Sequence, residues 1–346
     1  MKRRTFLWKS LSAIGAAAVS FNGISRTRNP EERDKIISVN GILEPESMGF
    51  TLSHEHLLVD FSGAAVYDPD AWDRDKVMKI MLPYLSEIKK YGCRTFVDCT
   101  PEFLGRDPLL LKELSRISGL NILTNTGLYG ASDNKYLPEY AFRESAGELA
   151  QRWIREFREG IAGTGIRPGF IKIGVNNQSL SEVHKKLVEA AAMTHLQTGL
   201  TIASHTGGAI PAFEEILVLR EQGVDPSAFI WVHAQMEHDP DNWIKAAVEG
   251  TWISLDGVSA DKTGDYVSWL TELKNRGLLK KVLVSHDAGW YTPGQVNGGS
   301  IRGFTDVFEH LIPALREDGF NENDLDQIFV RNPARALRIK VRQAGN

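Results

Sequence analysis

The sequence predicts an α/β protein that folds as a (β/α)8 TIM barrel preceded by a short N-terminal β-hairpin. Eight short apolar segments rich in β-branched residues alternate with longer segments of helical periodicity, which is typical of parallel strands joined by helices. The chain of 346 residues is long enough to form such a barrel. An open doubly wound sheet is the alternative, but no glycine-rich phosphate-binding turn follows the first three strands.

The first predicted element is a hairpin over Ile36–Leu43, with Asn40-Gly41 at its turn. Eight barrel strands are predicted after it, over Phe50–Ser53, Arg94–Cys99, Asn121–Thr126, Gly169–Gly174, Leu200–Ser204, Phe229–Val232, Thr251–Leu255 and Lys281–Ser285. The helices between them are predicted over 75–91, 107–118, 145–162, 181–198, 210–222, 240–249, 263–277 and 301–318, with a last helix over 323–340.

The N-terminal residues differ in character from the rest of the chain. Arg3-Arg4, then Phe6 and Leu7, precede an apolar run too short to span a bilayer, which is typical of a twin-arginine export signal. We expect residues 1–20 to be this signal peptide, residues 21–35 a flexible leader, and residues 36–346 a single barrel domain. The predicted location is the periplasm or the medium outside the cell, without a stable membrane anchor.

Composition excludes several kinds of partner and site. Lys and Arg number 40 against 44 Asp and Glu, a net charge of −4 without any basic block, which argues against nucleic acid. The two cysteines, Cys93 and Cys99, flank one predicted strand, so we expect apolar core residues rather than a disulfide or a zinc-thiolate site. The expected partner is a small molecule, and a homodimer is compatible with the sequence.

Potential metal ligands end five of the eight predicted strands. In a (β/α)8 barrel the C-terminal strand ends form the rim that carries the chemistry. His54 and His56 follow the first strand, and the two-residue period of a strand places both imidazoles on one face. Other strand ends supply Lys172, His205, His233 and Asp287. These six residues fit two divalent ions, with zinc as the leading assignment and manganese, cobalt or iron as alternatives.

Lys172 is unusual because it lies inside an apolar strand, in the segment Gly-Phe-Ile-Lys-Ile-Gly. Burial disfavours the charged ammonium form and leaves a nucleophilic amine. Such an amine can take up carbon dioxide and become a carbamate (N6-carboxylysine), an anion able to bridge two metals. Asp287 can bind a metal and accept a proton from its water. The adjacent His286 is predicted to point to the other face and to be structural.

Several motifs resemble the phosphotriesterase-like branch of the amidohydrolase superfamily, over nearly the whole barrel domain. They are Gly49–His56, Gly105–Asp107, Gly119–Ile122, Thr126–Tyr129, Gly160–Ile166, Gly169–Lys172, Ser204–Thr206, Ser285–Asp287 and Asn332-Pro333. The resemblance implies a barrel with two divalent metals. His54, His56 and Asp287 would bind the buried metal, and His205 and His233 the exposed one. Carboxylated Lys172 and a hydroxide would bridge the two metals.

Two positions depart from the pattern of well-studied members of that branch. Met236 stands where an aspartate often follows the ligand of the sixth strand, and Gly257 stands where a histidine or arginine often follows the seventh. The usual route for a proton leaving Asp287 is therefore missing or rebuilt. We expect the turn Glu237-His238-Asp239 to rebuild it.

The resemblance implies hydrolysis of an ester-like bond by the metal-bridging hydroxide, with Asp287 taking up the proton. The expected substrate is a lactone or another carboxylic ester, with phosphotriesters as a promiscuous activity. An amide or sugar-lactone hydrolase of the same superfamily and a barrel that only binds its ligand are the alternatives. Aromatic residues and one arginine of the strand-end loops are predicted to contact the substrate, namely Phe103, Tyr129, Trp290, Tyr291 and Arg302.

Overall fold

The computed structural model describes residues 34–345. The predicted signal peptide and most of the predicted leader, residues 1–33, lie outside the described residues. The last two leader residues belong to the fold, because Asp34 N donates to Ile339 O at 2.9 Å and Ile339 N donates to Lys35 O at 2.7 Å. Between residues 34 and 345, no helix combines the length and apolar character needed to cross a bilayer.

The described strands are β1 (Ile36–Ser38), β2 (Gly41–Leu43), β3 (Phe50–Leu58), β4 (Cys93–Asp98), β5 (Asn121–Leu123), β6 (Asn125–Thr126), β7 (Phe170–Gly174), β8 (Ile202–His205), β9 (Phe229–Val232), β10 (Trp252–Leu255), β11 (Val282–Val284) and β12 (Gly289–Tyr291). The α-helices are α1 (Arg74–Lys90), α2 (Pro108–Ser118), α3 (Glu139–Arg143), α4 (Ala146–Glu159), α5 (Glu182–Thr198), α6 (Ala209–Glu221), α7 (Pro240–Val248), α8 (Thr263–Asn275), α9 (Ile312–Glu317), α10 (Glu322–Asp326) and α11 (Asn332–Leu337).

The parallel strands form the predicted (β/α)8 barrel. One sheet has the order β12-β3-β4-β5 and the other the order β6-β7-β8-β9-β10-β11. Thr124 alone separates β5 from β6, so these two segments form one strand position of the barrel. On the other side, the chain that leaves β11 runs along β3, where Asp287 N donates to His54 O at 3.0 Å. The fold class predicted from the alternation of strands and helices is confirmed.

Closure of the barrel depends on β12, a strand that the sequence pattern did not predict. β12 pairs with β3, with Gly289 opposite His56 and Tyr291 opposite Leu58. Gly289 has a φ of +100°, and a Cβ atom there would lie 1.9 Å from the backbone oxygen of His56. A side chain at this position would therefore push β12 away from β3.

Side chains of the strands alternate between the inside of the barrel and the surrounding helices, as the two-residue period requires. Inside, Phe170 and Ile230 pack in one buried cluster with Ile36 of the β1–β2 hairpin. Outside, Ile171 and Trp231 belong to the cluster beneath the helices. The hairpin thus helps to fill the interior of the barrel away from the rim.

Four predicted boundaries are wrong for identifiable reasons. The hairpin turn is Val39-Asn40 rather than Asn40-Gly41, because Gly41 already pairs with Ser38. The first barrel strand continues to Leu58, because β12 extends its pairing. The helix predicted from residue 301 begins at Val307, since residue 302 is bonded to Gly289 through its backbone. The last helix ends at Leu337, where the chain becomes extended and pairs with Lys35.

Candidate metal centre

The six predicted metal ligands converge on one cavity of about 280 Å³ at the C-terminal ends of the strands. The ring centroids of His54 and His56 lie 5.3 Å apart, and those of His205 and His233 lie 4.3 Å apart. The oxygen Oδ1 of Asp287 lies 3.0 Å from His56 Nε2. The cavity is lined by His54, His56, Val59, Phe61, Cys99, Pro101, Leu104, Tyr129, Lys172, His205, His233, Asp287 and Trp290.

Strand β3 places its two histidines on one side and Glu55 on the other. A register shift between Leu52 and Glu55 interrupts the pairing of β3 with β4, as in a β-bulge. The buried carboxylate of Glu55 lies 2.6 Å from His286 Nδ1, and His286 Nε2 accepts a hydrogen bond from the backbone of Val307 at 2.9 Å. His286 is therefore a structural residue that ties β3 to the end of β11, as predicted.

His233 reaches the cavity because its backbone adopts a left-handed conformation, which Asp287 shares. Ile230 and Val232 of β9 face the barrel interior, so simple alternation would turn His233 toward the helices. The φ of His233 is +61°, and the φ of Asp287 is +52°. Left-handed residues other than glycine are uncommon and concentrate at functional sites, where the surrounding contacts hold them in place.

Asp256 is the central polar residue that sequence analysis missed as part of the site. Its buried carboxylate accepts hydrogen bonds from His54 Nδ1 at 2.9 Å and from His233 Nδ1 at 2.7 Å. It also accepts from the backbone of His233, from Ser254 Oγ and from Gln235 Nε2. One carboxylate thus orients two imidazoles that come from different strands, an arrangement that is typical behind metal ligands.

The hydrogen bonds at Nδ1 settle which ring nitrogen faces the cavity. A carboxylate only accepts, so His54 and His233 both carry the proton on Nδ1 toward Asp256. Thr100 donates its hydroxyl proton to Leu58 O at 3.1 Å, so it accepts from His56 Nδ1 at 2.8 Å. In the neutral form, each of these three imidazoles therefore leaves Nε2 as the nitrogen available to a metal.

The electrostatics of the cavity favour neutral imidazoles at His54 and His205 and an ionised carboxylate at Asp287, whereas at His233 burial is outweighed by Asp256, which raises the pKa. Burial is the largest cause that lowers the pKa of His54 to about 4, and burial with the neighbouring His233 lowers the pKa of His205 well below its usual range. Burial would raise the pKa of Asp287, but the interactions of its carboxylate with the neighbouring imidazoles of His54 and His56 outweigh burial and lower that pKa. Metal ligands must be deprotonated, so this charge state suits a cation.

The surroundings of Lys172 indicate whether the residues of the cavity fit a pair of metal ions. Its side chain is 1% exposed, and Nζ has no hydrogen-bond partner among the described residues. A buried ammonium without a partner is costly, and four imidazoles and one aspartate surround the same cavity. A carbamate on Nζ with cations beside it would satisfy this atom. The donor set, nitrogen with carboxylate oxygen, is also the one that zinc-like ions prefer.

Two of the five residues predicted to contact the substrate line the cavity, and three do not. Tyr129 lies in the wall with its hydroxyl 3.0 Å from His205 Nδ1, and Trp290 lies at the mouth against the edge of Phe61. Tyr291 points away from the cavity because it neighbours Trp290 in β12, and it is 4% exposed within the core.

Phe103 and Arg302 are the other two residues that do not line the cavity. Phe103 packs against Tyr67 and Tyr140 instead of the cavity, and its φ of +63° shows that the chain turns sharply there. Arg302 donates to the backbone oxygens of His286 and Val258, so its guanidinium holds the chain together rather than facing a ligand.

The turn Glu237-His238-Asp239 does not rebuild a proton route from the cavity. Glu237 accepts from the backbone of Ala209 at the start of α6, and Asp239 caps the start of α7. His238 is exposed, and none of the three residues lines the cavity. The predicted relay is therefore wrong, because both carboxylates lie at helix starts and not beside the cavity.

Some missed residues left a signal in the sequence and others did not. Asp256 follows β10 with the inward alternation of Trp252 and Ser254, so the strand period places it at the rim. The apolar wall has no comparable signal, because Val59, Phe61 and Leu104 lie in irregular loops. Their positions depend on how those loops pack.

Comparison with known proteins gives a consistent result. The model of the phosphotriesterase family matches residues 34–337. The phosphotriesterase homology protein of Escherichia coli is 30% identical over 292 residues, covering 83% of this chain and 97% of the relative. An aryldialkylphosphatase of Saccharolobus solfataricus is 30% identical over 308 residues, covering 84% and 95%. An N-acetyltaurine hydrolase of Salmo salar is 25% identical over 350 residues, covering 88% and 98%.

A solved structure shows the same architecture. The organophosphorus hydrolase from Deinococcus radiodurans superposes with a TM-score of 0.80 at 27% identity, covering 88% of this chain and 97% of that one. The shared barrel, the match of the family model over most of the sequence and the full-length relatives agree. This chain belongs to the phosphotriesterase family and is a hydrolase of that family.

Proposed function

We propose that this protein hydrolyses lactones or other carboxylic esters with two divalent metal ions, zinc being the leading assignment. The observation that carries the proposal is Lys172, a buried amine without a hydrogen-bond partner in a cavity that also holds the five other predicted ligands. His54, His56 and Asp287 would hold one ion, and His205 and His233 the other. Carboxylated Lys172 would hold both.

Bound at this site, the ions would supply acidification of a water molecule and polarisation of the substrate oxygen. Asp287 would take up the proton of the attacking water on Oδ2, since its contacts with His54 and His56 are made by Oδ1. Asp256 keeps the imidazoles of His54 and His233 in place throughout. The Tyr129 hydroxyl in the cavity wall would donate to an oxygen of the substrate.

The wall of the cavity supports a neutral substrate. Among the described lining residues, Lys172 is the one lysine or arginine, and Arg302 is occupied by backbone oxygens. N-acetyltaurine, the substrate that some relatives are named for, carries a sulfonate anion, and this wall offers that group no cation. Lactones and alkyl or aryl esters are neutral, and so are phosphotriesters, which we propose as a secondary activity.

The test is a substrate panel on the protein before and after removal of metal. We expect about two equivalents of divalent metal per chain, and turnover of neutral lactones or esters that disappears with a chelator and returns with zinc. N-acyl amides that carry an anionic group should react far more slowly. Absence of bound metal after growth with added zinc would refute the metal centre, and preferential turnover of the anionic amides would refute the substrate class.

We also propose that the mature protein works in the periplasm or outside the cell. The support is the sequence Arg3-Arg4 with Phe6 and Leu7 before an apolar run. The twin-arginine route exports proteins after folding, which would allow a metal centre to be loaded before export.

A further inference from the structure

The side chain of Gln235 makes a two-point contact with Asp256. Gln235 Nε2 donates to Asp256 Oδ1 at 3.0 Å, and the backbone nitrogen of Asp256 donates to Gln235 Oε1 at 3.2 Å. Only one orientation of the amide satisfies both contacts, because a carboxylate can only accept and a backbone N–H can only donate. The amide therefore fixes the carboxylate relative to its own backbone.

The carboxylate that Gln235 holds is the one that orients two candidate ligands. Oδ1 of Asp256 accepts from His233 Nδ1 as well as from Gln235, while Oδ2 accepts from His54 Nδ1. Rotation of the carboxylate would break both imidazole contacts together. Gln235 itself is two residues beyond His233 and does not line the cavity, so it cannot act by touching a ligand.

The residue after Asp256 is closely packed against the side chain of Gln235. A Cβ atom on Gly257 would lie 3.1 Å from Gln235 Nε2 and 2.9 Å from the hydroxyl of Tyr266. That hydroxyl accepts from the backbone nitrogen of Gly257 at 2.7 Å. A larger residue at 257 would displace the amide or the phenol, so the glycine, the glutamine and the tyrosine form one packed unit behind Asp256.

We propose that Gln235 is a positioning residue of the metal centre, holding Asp256 and through it the imidazoles of His54 and His233. The inference rests on the proposed metal centre and extends it to a residue outside the ligand set. Partners of metal ligands commonly change metal affinity by 10- to 100-fold when they are removed. An amide does not change charge in the working pH range, so Gln235 acts through the geometry of its hydrogen bonds and not through its own ionisation.

The experiment measures zinc affinity by competition with a chromogenic chelator. Gln235→Met keeps the length of the side chain and removes both hydrogen bonds. We expect its affinity to fall about 10-fold or more, and the visible spectrum of the cobalt-substituted protein to change. The matched control is Gln151→Met, on the exposed face of α4, which should leave the affinity, the spectrum and the thermal midpoint unchanged. If Gln235→Met does not fold, Gln235→Ala takes its place.

A double-mutant cycle separates positioning from a general loss of stability. If Gln235 acts through the carboxylate of Asp256, adding Gln235→Met to Asp256→Ala should change zinc affinity less than about two-fold. Independent, additive losses would refute the proposal, and so would an unchanged affinity and cobalt spectrum in Gln235→Met. An outcome in which the unmodified protein binds no zinc would refute the proposed function first. If the unmodified protein binds zinc and Gln235→Met binds it with the same affinity, only this inference is refuted.

Discussion

Glu215 is a fully buried carboxyl group on α6, directly behind the strand that carries His205. It contacts Ser204 Oγ at 2.5 Å and Thr206 Oγ1 at 2.6 Å. Thr206 also donates to the backbone oxygen of Ser204 at 3.0 Å, and a hydroxyl has one proton to donate. The contact with Glu215 Oε2 is then satisfied when the carboxyl is protonated and donates to Thr206. Burial agrees with this, since it raises the pKa of Glu215 to about 8.

This protonated carboxyl should make the stability of the protein depend on pH. In the unfolded chain Glu215 ionises near pH 4.5, whereas in the folded chain it stays protonated until about pH 8. Its contribution to stability is therefore complete below pH 4.5 and is lost as the pH rises through 8. Each pH unit inside this window costs about 1.4 kcal/mol, so roughly 3–4 kcal/mol is lost between pH 5 and pH 8.

The test compares Glu215→Gln with the unmodified protein. Glutamine can donate to Thr206 and accept from Ser204 without ionising, so this variant should lose roughly 3–4 kcal/mol less than the unmodified protein between pH 5 and pH 8. Urea unfolding followed by circular dichroism at both pH values, on metal-stripped protein, gives the difference. Glu221→Gln, on an exposed position of the same helix, is the control and should run parallel to the unmodified protein. Parallel curves for Glu215→Gln would show that the carboxyl is ionised in the fold and refute this reasoning.

Four further outcomes can be measured. Lys172→Ala should lose bound metal, as measured by elemental analysis, and most of its turnover. Acetate or propionate should restore part of both. Full metal content of this variant in carboxylate-free buffer would contradict a bridging carbamate. Trp290→Ala, which removes apolar surface at the cavity mouth, should raise KM for large apolar esters several-fold with little change in kcat, and an equal rise for the smallest lactone would contradict that role. His238→Ala should leave the pH profile of turnover unchanged, because this residue is exposed and away from the cavity. A lower turnover would support the proton relay that the sequence predicted. Replacing Arg3 and Arg4 by lysine should retain the precursor in the cytoplasm, as fractionation would show, and unchanged export would indicate another route.

The sequence predicted the barrel and its ligand set because both depend on short-range rules. Strand period and strand order place the end of every parallel strand at one rim, so His205 or Lys172 can be assigned to the site without knowing any packing. His233 was assigned to the rim for the same reason, although alternation alone would have turned it outward. Its left-handed backbone, which no propensity rule requires of a histidine, brings it in.

What the sequence could not predict depends on contacts between distant segments. Trp290 and Tyr291 are equivalent aromatic residues in the sequence, and only the pairing of β12 with β3 decides that the first lines the cavity and the second is buried. Arg302 looks like a free cation until the carbonyl groups of the neighbouring loops are in place. Glu237 could be taken for a proton carrier because the sequence does not show its contact with the start of α6, which lies 28 residues away in the chain.

The closing strand β12 also sets where this enzyme can change during laboratory evolution. Gly289 cannot accept a side chain, and Tyr291 is part of the core, so substitutions on either side of Trp290 would damage the barrel. Trp290 itself has a φ of +70°, a conformation that disfavours tryptophan and most other side chains and is worst for β-branched ones. Most replacements at this one position therefore change the cavity mouth at little backbone cost, and glycine or asparagine would relieve strain. Saturation mutagenesis confined to position 290 is accordingly the most economical library for altering the substrate range of this barrel.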